Sequence, residues 1–452
     1  MSLSRRKFLK QTTVAAAGTY VGALGFSAKS YANIIGANSR VRVGVVGFSD
    51  RFRSTLLPCF LNHNKELNFD MVAVSDLWSL RRQQGVDLLK TKFKHDIKEC
   101  RNNEELYNIK NLDAVIISTP DFQHALHTIE AVKEKCDVYC EKPFAETMAD
   151  NRAALKAVKA SKQIVQIGSQ RRSGANYKSA ANFIKEGKFG NITMVELSWN
   201  VNQPGRWRRP DLVAKLKQED TDWKRFLMNR PYEEWDPRKY LEFRLFWPFS
   251  SGMAGQWMSH QIDTVHWFSE LKHPRSVVAN GGIYQWKDGR RNWDTTTAVF
   301  DYGLQNDPSG FQVVFTSRMH NGDERPAEIY YSNGGEINLI TNKVSPVGGL
   351  TEAHAAAMNM KANLLPELSL ASNDVPKVVA SANTGADQLT SDHMRNWMEC
   401  VRSRKETNAP VEAGYSHSIA NIMTTAAVRT GSKATFDEAT QEVMVNGKAF
   451  KY

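Results

Sequence analysis

Cysteine is scarce in this chain, which has 5 cysteines among 452 residues. Their number is odd and they do not form two closely spaced pairs, so the sequence predicts neither a disulfide framework nor a zinc site. Cys136 and Cys140 flank one short apolar strand and are expected to be buried thiols. With 41% hydrophobic side chains, the chain can bury a sizeable core, and its length favours two domains.

Long apolar runs and basic blocks interleaved with aromatics are missing as well. The run over 12–26 is interrupted by Gly18, Gly22 and Gly25 and is short for the ~20 strongly apolar residues of a membrane span. Part of the net charge of +11 lies in the N-terminal segment, and we interpret the rest as solvated surface. We therefore expect a soluble mature protein without a transmembrane segment or a nucleic-acid partner.

The N-terminal segment carries paired arginines, Arg5 and Arg6, followed by Phe8-Leu9-Lys10 and a weakly apolar stretch. Ser30-Tyr31-Ala32 then offers a small-x-small processing site. This pattern predicts a twin-arginine signal peptide over residues 1–32, a linker over 33–39, the Tat export machinery as a partner, and a periplasmic location. Twin-arginine export moves folded proteins, which suits an enzyme that takes up a cytoplasmic cofactor first.

From Val41 onward, short β-branched runs alternate with amphipathic stretches, which predicts an α/β fold with a doubly wound parallel sheet over residues 40–169. After about Gln170 the strands become longer and alternate in polarity, which predicts an α+β domain over 170–452 with a mostly antiparallel open sheet. Four helices are expected on one side of that sheet, at about 175–186, 254–269, 392–404 and 415–430. The stretch 345–389 is interpreted as a long surface excursion.

The first strand leads into a turn with the position of a dinucleotide loop. Gly47 permits the tight turn and Ser49 offers a hydroxyl, but the close-approach and helix-packing glycines are absent, so a plain strand-to-helix turn stays open. Asp76 closes the second strand, where it could bind the ribose hydroxyls of NAD or cap a helix. NADP stays possible because Arg81 and Arg82 follow.

Two further segments at the strand ends indicate a family. Thr119-Pro120 with His124, and then Glu141-Lys142-Pro143, resemble the glucose-fructose oxidoreductase and inositol dehydrogenase family (Gfo/Idh/MocA), and the similarity runs through the mature chain. The resemblance is closest to secreted twin-arginine members. It implies a nicotinamide cofactor that is tightly bound, a sugar or polyol substrate, and a homo-oligomer. The positions expected to hold the cofactor are Gly47, Phe48, Ser49, Arg51, Asp76, Ser118, Thr119, Pro120, His124, Glu141, Lys142 and Gln170.

The resemblance also implies catalytic residues. Lys142 is expected to contact substrate and cofactor, and Glu141 to contribute to the nicotinamide or ribose pocket. On the predicted helix that follows Gly252, Gln256, His260 and Asp263 share one face. His260 matches a general base, while Gln256 stands where the family usually has an aspartate, so Asp263 is expected to supply the electrostatic help instead.

A metal site built from His260, Asp263 and His266 is disfavoured, because position i+6 leaves the starting face, and His266 is interpreted as a core histidine. Tryptophans and arginines crowd the start of the second domain, which suits a sugar pocket. The substrate-binding candidates are Arg171, Tyr240 and Arg244.

The predicted function is hydride transfer between a sugar, glycoside or polyol hydroxyl and a bound NAD or NADP. Two alternatives stay open at this point. One is a redox-assisted NAD-dependent glycosidase, which Lys142 disfavours because such enzymes generally lack lysine there. The other is a non-catalytic periplasmic sugar-binding protein, which the missing glycines and Gln256 motivate.

Overall fold

A computed structural model describes residues 40–322, 327–370 and 386–451. The first part of the chain forms a parallel sheet with six strands in these ranges, in the order β3-β2-β1-β4-β5-β6. Their bounds are β1 Val41–Val46, β2 Phe69–Ser75, β3 Lys98–Cys100, β4 Ala114–Ile117, β5 Asp137–Cys140 and β6 Val165–Ile167. The order reverses between β1 and β4, so ligands are expected at the carboxyl ends of these two strands.

Helices cover both faces of this sheet, and β2, β4 and β5 are buried along their whole length. This double burial explains their continuous apolar runs. A π-helical turn at Phe52–Leu56 precedes the first α-helix. The α-helices here are α1 Leu57–Leu61, α2 Asn64–Leu67, α3 Ser79–Phe93, α4 Asn103–Tyr107, α5 His124–Lys133 and α6 Met148–Lys159.

The second sheet has eleven strands within the described ranges, in the order β14-β13-β12-β11-β7-β10-β9-β8-β15-β16-β17. Only β7 and β10 pair in parallel among its described neighbours, which confirms the mostly antiparallel α+β prediction. The strands are β7 Met194–Asn200, β8 Ser276–Gly282, β9 Thr295–Tyr302, β10 Phe311–Arg318, β11 Glu328–Ser332, β12 Gly335–Asn338, β13 Lys343–Ser345, β14 Leu368–Ser369, β15 Ala434–Asp437, β16 Glu442–Val445 and β17 Lys448–Ala449.

One face of the second sheet packs on helices. The remaining α-helices are α7 Ala175–Lys185, α8 Pro210–Val213, α9 Trp223–Leu227, α10 Pro237–Leu241, α11 Ser259–Ser269, α12 Glu352–Ala357, α13 Gln388–Ser403 and α14 Val411–Thr430. Side chains of α7, α11 and α14 share one hydrophobic cluster with the sheet strands. A π-helical turn at Ala254–Met258 leads into α11.

Helix α13 corrects one prediction. It was expected at 392–404 against the second sheet, but it begins at Gln388 and packs on the first domain. Its Trp397 lies 6.0 Å from Phe69 and 5.9 Å from Tyr139, measured between ring centroids. Helical periodicity identifies the apolar face of a helix, but it carries no information about which sheet that face covers.

The predicted signal peptide and linker lie outside the described residues. Of the predicted excursion at 345–389, the described part contains α12 and β14, and 371–385 lies outside the described ranges. No helix in the described ranges has the length and apolarity needed to cross a membrane.

Candidate active site

The turn after β1 is built tightly around Gly47. Its φ is +83°, and a Cβ atom added there would come within 2.7 Å of Thr119 Cγ2. The Ser118 hydroxyl donates to the Gly47 carbonyl over 2.8 Å. Only glycine fits a left-handed backbone pressed this closely against the end of β4. The turn therefore has the close approach that a dinucleotide loop needs, although the other two glycines are missing.

Asp76 braces this turn. One carboxylate oxygen accepts from the Phe48 amide at 2.8 Å and the other from the Trp78 amide at 2.9 Å. The Phe48 ring is fully buried, so Phe48 serves the loop through its main chain and the core through its side chain. Burial raises the pKa of Asp76, and the two amides work against that shift. Asp76 thus combines the cap-like role with a position on the cavity wall.

Asp50 was missed by the sequence reasoning. Its carboxylate pairs with Arg53, with Arg81 at 3.0 Å and with Arg209 at 3.3 Å. Burial works to raise its pKa, but the three guanidinium groups outweigh burial and lower it. An ionised acid therefore lies next to the glycine turn, surrounded by cations from both domains. The sequence shows only that an acidic residue, Asp50, stands at the start of a helix. Its partners Arg81 and Arg209 are far away in the chain, so local sequence could not reveal them.

A cavity of about 630 Å³ opens at the carboxyl ends of the parallel strands. Its volume is typical of small-molecule sites. A segment of the second domain, residues 203–245, forms the opposite wall and is called the cover segment below. The first domain contributes Gly47, Ser49, Arg51, Asp76, Thr119 and Pro120, and the cover segment contributes Trp207, Arg209, Tyr240 and Arg244. The residues present fit a dinucleotide, because the tight glycine turn, a strand-end carboxylate and cationic side chains line one cleft.

The end of β5 brings Glu141 and Lys142 next to this cavity. Arg51, which lines the cavity, donates from Nε to Glu141 Oε1 over 2.9 Å. Burial favours a higher pKa for Glu141, but Arg51 and Lys142 outweigh burial and lower it. Burial lowers the pKa of Lys142 to about 8, although Glu141 and Asp121 pull it upward. Lys142 can therefore change its charge near neutral pH.

Helix α14 supports the loop that carries Lys142. The Phe144 amide donates to His417 Nε2 over 3.2 Å, and the Ala145 amide donates to the Ser418 hydroxyl over 3.0 Å. On the other side, a Cβ atom at Gly255 would lie 3.0 Å from Pro143. The loop is thus held between two helices of the second domain, which keeps Lys142 in place.

Gln256 connects the groups around Lys142. Its main-chain oxygen accepts from Lys142 Nζ over 2.8 Å, and its side-chain oxygen accepts from Arg244 Nε over 2.9 Å. Its side-chain nitrogen Nε2 donates to Asp121 Oδ2 over 2.6 Å. A carboxylate is therefore present at this position of the site, but it comes from Asp121 on the first domain. Asp121 directly follows Pro120, but the sequence alone gave it no role.

His260 lies four residues beyond Gln256 and is only 3% exposed. Its Nδ1 has no hydrogen-bond partner among the described residues, and its ring stacks on Trp199 at 5.8 Å. Burial, assisted by the positive charges of Lys142 and Arg171, lowers its pKa well below the ordinary value. The ring is therefore neutral at physiological pH.

Asp263 differs from its expected role. Both of its oxygens accept from Arg172, over 2.8 Å from Nε and 3.0 Å from the terminal nitrogen, and its side chain is fully buried. Asp263 follows His260 by three residues on the same helix, as predicted. Its carboxylate, however, pairs with Arg172, which lies in the short turn at Gln170–Ser173. Its charge is thus neutralised by a buried ion pair.

His266 bonds the Tyr302 hydroxyl at 2.8 Å, which confirms its interpretation as a core histidine.

Three other candidates are held by contacts within the protein. Arg171 donates to the buried Glu328 over 2.5 Å. It lies outside the cavity lining, as Lys142 and His260 do, and its role in substrate binding stays a prediction. The His124 ring lies 2.7 Å from the Pro143 carbonyl and 2.9 Å from the Thr119 carbonyl, and so links the two site loops. Gln170 is 2% exposed and also lies outside the lining.

Tyr240 and Arg244 do line the cavity, and Tyr240 stacks on Phe226 at 4.5 Å. Across the described ranges no group of three or more His, Cys, Asp or Glu side chains is placed to hold a metal ion. The chemistry available to this site is therefore that of Lys142, His260 and Asp121 beside a nucleotide cleft.

This fold and cleft define a Rossmann-type dinucleotide-binding protein with an attached α+β domain. Residues 41–169 match the sequence model GFO_IDH_MocA, described as "Oxidoreductase family, NAD-binding Rossmann fold". The first domain is therefore similar in sequence to the NAD-binding Rossmann domains that this model describes.

Individual relatives are more distant. Inositol 2-dehydrogenase of Salmonella typhimurium is 29% identical over 195 residues, which are 43% of this chain and 54% of that protein. The chain thus spans about half the length of the curated relatives it matches. Two solved structures share the fold over 88% of this chain and 99% of theirs. They are the WlbA dehydrogenase of Bordetella pertussis with NADH and UDP-GlcNAcA (15% identity, TM-score 0.61) and levoglucosan dehydrogenase with NADH and levoglucosan (12%, 0.62).

Proposed function

We propose that this protein is an NAD(P)-dependent oxidoreductase that transfers hydride between a hydroxyl of a sugar, glycoside or polyol and a tightly bound nicotinamide cofactor. The observation that carries the proposal is the 2.8 Å bond from Lys142 Nζ to Gln256 O, four residues before His260. This bond brings an ammonium from the Rossmann domain to the helix that carries a buried imidazole, next to the dinucleotide cleft. The dehydrogenase relatives support the same class of reaction.

The residues that would hold the cofactor are the Gly47 turn, Ser49, Asp76 and Thr119 on the first domain. When bound, the nicotinamide ring supplies the hydride acceptor or donor. Tyr240 on the cover segment adds an aromatic surface to the same cleft. Because Asp76 is a carboxylate at the end of β2, NAD is the preferred cofactor over NADP.

Lys142 and His260 divide the handling of the substrate hydroxyl. In its ammonium form Lys142 donates a hydrogen bond to the reacting oxygen and fixes its position. His260 is neutral, so one of its ring nitrogens carries a lone pair that can accept the hydroxyl proton. Removal of that proton leaves the carbon free to lose hydride.

The cover segment supports tight retention of the cofactor. Gln123 Nε2 donates to the Phe226 carbonyl over 2.7 Å, and the Phe122 and Phe226 rings lie 5.6 Å apart. These contacts belong to a buried aromatic cluster that joins the cover segment to the first domain. A cover held by an apolar core opens rarely, so nucleotide exchange should be slow relative to turnover.

The test compares wild type with Lys142→Met and His260→Ala after the released nucleotide has been identified in denatured protein. Both variants should fold and retain nucleotide, but lose on the order of 10²-fold or more in single-turnover hydride transfer. The assay follows nicotinamide absorbance near 340 nm with a panel of glycosides, sugar acids and polyols. Lys156→Met is the matched control, since Lys156 is exposed on α6. Equal rates in all four proteins would refute the assignment, and sugar binding without any absorbance change would favour a non-catalytic role.

We also propose export to the periplasm through the twin-arginine pathway, supported by the pattern around Arg5 and Arg6. Replacing both with lysine removes the guanidinium forks that the pathway recognises. The double variant should accumulate in the cytoplasm, as cell fractionation would show, and normal periplasmic accumulation would contradict the proposal.

A homo-oligomer is proposed as well, and light scattering after gel filtration tests it.

A further inference from the structure

The arginines of the cover segment differ in what neutralises them. Arg208 and Arg238 each lie 2.9 Å from Glu242, a carboxylate with no exposed surface. Arg244 instead bonds the neutral side chain of Gln256 over 2.9 Å. No carboxylate within the described ranges lies within ion-pairing distance of Arg244. Its charge is thus available to an incoming anion.

Arg244 is also close to the reacting groups. It lines the cavity, and Gln256 accepts hydrogen bonds from both Arg244 and Lys142. Gln256 therefore holds the Lys142 ammonium, which is proposed to bind the reacting oxygen, close to the Arg244 guanidinium. A molecule with a hydroxyl at Lys142 and an anionic group a few atoms away would meet both cations.

The charges around Arg244 are mixed. Burial is the main cause of the lowered pKa of Arg244; Asp121 opposes that shift and Arg209 adds to it. A bound anion within hydrogen-bonding distance would compensate the buried guanidinium directly.

We propose that Arg244 binds a carboxylate on the substrate, so that this enzyme acts on sugar acids rather than neutral sugars. The proposal rests on the hydride-transfer function proposed above. A guanidinium binds a carboxylate with two parallel hydrogen bonds, and the Trp207 ring, which lines the cavity, offers an apolar surface to sugar C–H groups. Arg209 is assigned to the cofactor side instead, because it pairs with Asp50 next to the Gly47 turn.

The experiment uses cofactor-loaded protein and matched probes, methyl glucuronide against methyl glucoside and methyl galacturonide against methyl galactoside. Wild type should favour the acid of at least one pair by about 100-fold in kcat/KM, because a buried cation without its anion is costly. Arg244→Met should lower that acid-to-neutral ratio about 100-fold. Arg238→Met is the matched control and should keep the ratio, since Arg238 is neutralised by Glu242. Calorimetry measures binding of the same probes independently of turnover.

The outcomes separate the two proposals. Turnover of neutral probes at least as fast as acids overturns the sugar-acid proposal and leaves the oxidoreductase proposal standing. Calorimetric preference for acids that Arg244→Met abolishes, without any hydride transfer, supports the carboxylate site and contradicts the oxidoreductase proposal. Loss of bound nucleotide from Arg244→Met, with an unchanged acid-to-neutral ratio in reloaded protein, assigns Arg244 to the cofactor and also overturns the sugar-acid proposal.

Discussion

Asp121→Asn is expected to move the pH dependence of hydride transfer through its effect on Lys142. The pKa of Lys142 is about 8, lowered by burial and pulled upward by Glu141 and Asp121. Lys142 acts as an ammonium in the proposed reaction, so activity in the oxidation direction is present below pH 8 and is lost as the pH rises through it. Asp121 is a neighbouring opposite charge, and the loss of such a charge typically changes a pKa by about 1. Asp121→Asn should therefore lower the pKa of Lys142 by about that much.

The size of the effect follows from the protonated fraction. At pH 8, about half of wild-type Lys142 is protonated, against about a tenth in the variant, so the single-turnover rate should fall about fivefold. Near pH 6 the two rates should agree within about 10%, because Lys142 is protonated in both proteins. Asparagine can still accept the Gln256 hydrogen bond, so the geometry of the site is preserved. The assay is the pH profile of nicotinamide absorbance in single turnover.

Glu146→Gln is the matched control for this experiment. Glu146 is buried next to Asp121, and burial, with the Asp121 charge, raises its pKa to about 8. Glu146 is not among the charges that shift the pKa of Lys142, so the descending limb should stay near its wild-type position in this variant. A limb at the same pH in Asp121→Asn and wild type would refute the coupling, and a wild-type rate that rises through pH 8 would refute the ammonium role.

Three further predictions concern the nucleotide half. Asp76→Ser should weaken NAD more than NADP, because a ribose acceptor and a repulsion of the 2′-phosphate are both lost, and equal losses in calorimetric titrations would show that Asp76 only braces the loop. Gly47→Ala should cost about 1–3 kcal/mol of unfolding free energy and release nucleotide, since its Cβ would meet Thr119. Gly187→Ala, also at positive φ but in open space, is its control and should retain the nucleotide. Trp397→Ala should cost about 3–5 kcal/mol in denaturant unfolding, and a cost under about 1 kcal/mol would contradict the packing of α13 on the first domain.

The elements of both sheets were largely predictable from local pattern. The strands at Val41–Val46 and Thr295–Tyr302 follow the two predicted patterns. A strand buried on both faces has a continuous apolar run, and a strand buried on one face alternates in polarity. Strand β3 at Lys98–Cys100 was missed, since it is short and two of its three residues are exposed. The packing of α13 was wrong because it depends on contacts with residues far away in the chain.

The candidate site was predictable only where one segment carries the geometry. The turn at Gly47 has a local cause, and the placement of Lys142 and His260 came from the resemblance and stays a prediction about their roles. The pairs Asp121 with Gln256 and Asp263 with Arg172 join residues more than 90 positions apart. Periodicity within one helix could not show that Asp263 is neutralised or that Asp121 supplies the carboxylate.

Helix α13 has a consequence for the order in which the molecule is made. The core of the first domain includes Met394 and Trp397, yet these residues leave the ribosome long after the six parallel strands have been synthesised. The nucleotide half therefore lacks part of its apolar interior until α13 has been synthesised. A fragment that ends before Gln388 is expected to hold its parallel sheet less stably than the full chain does.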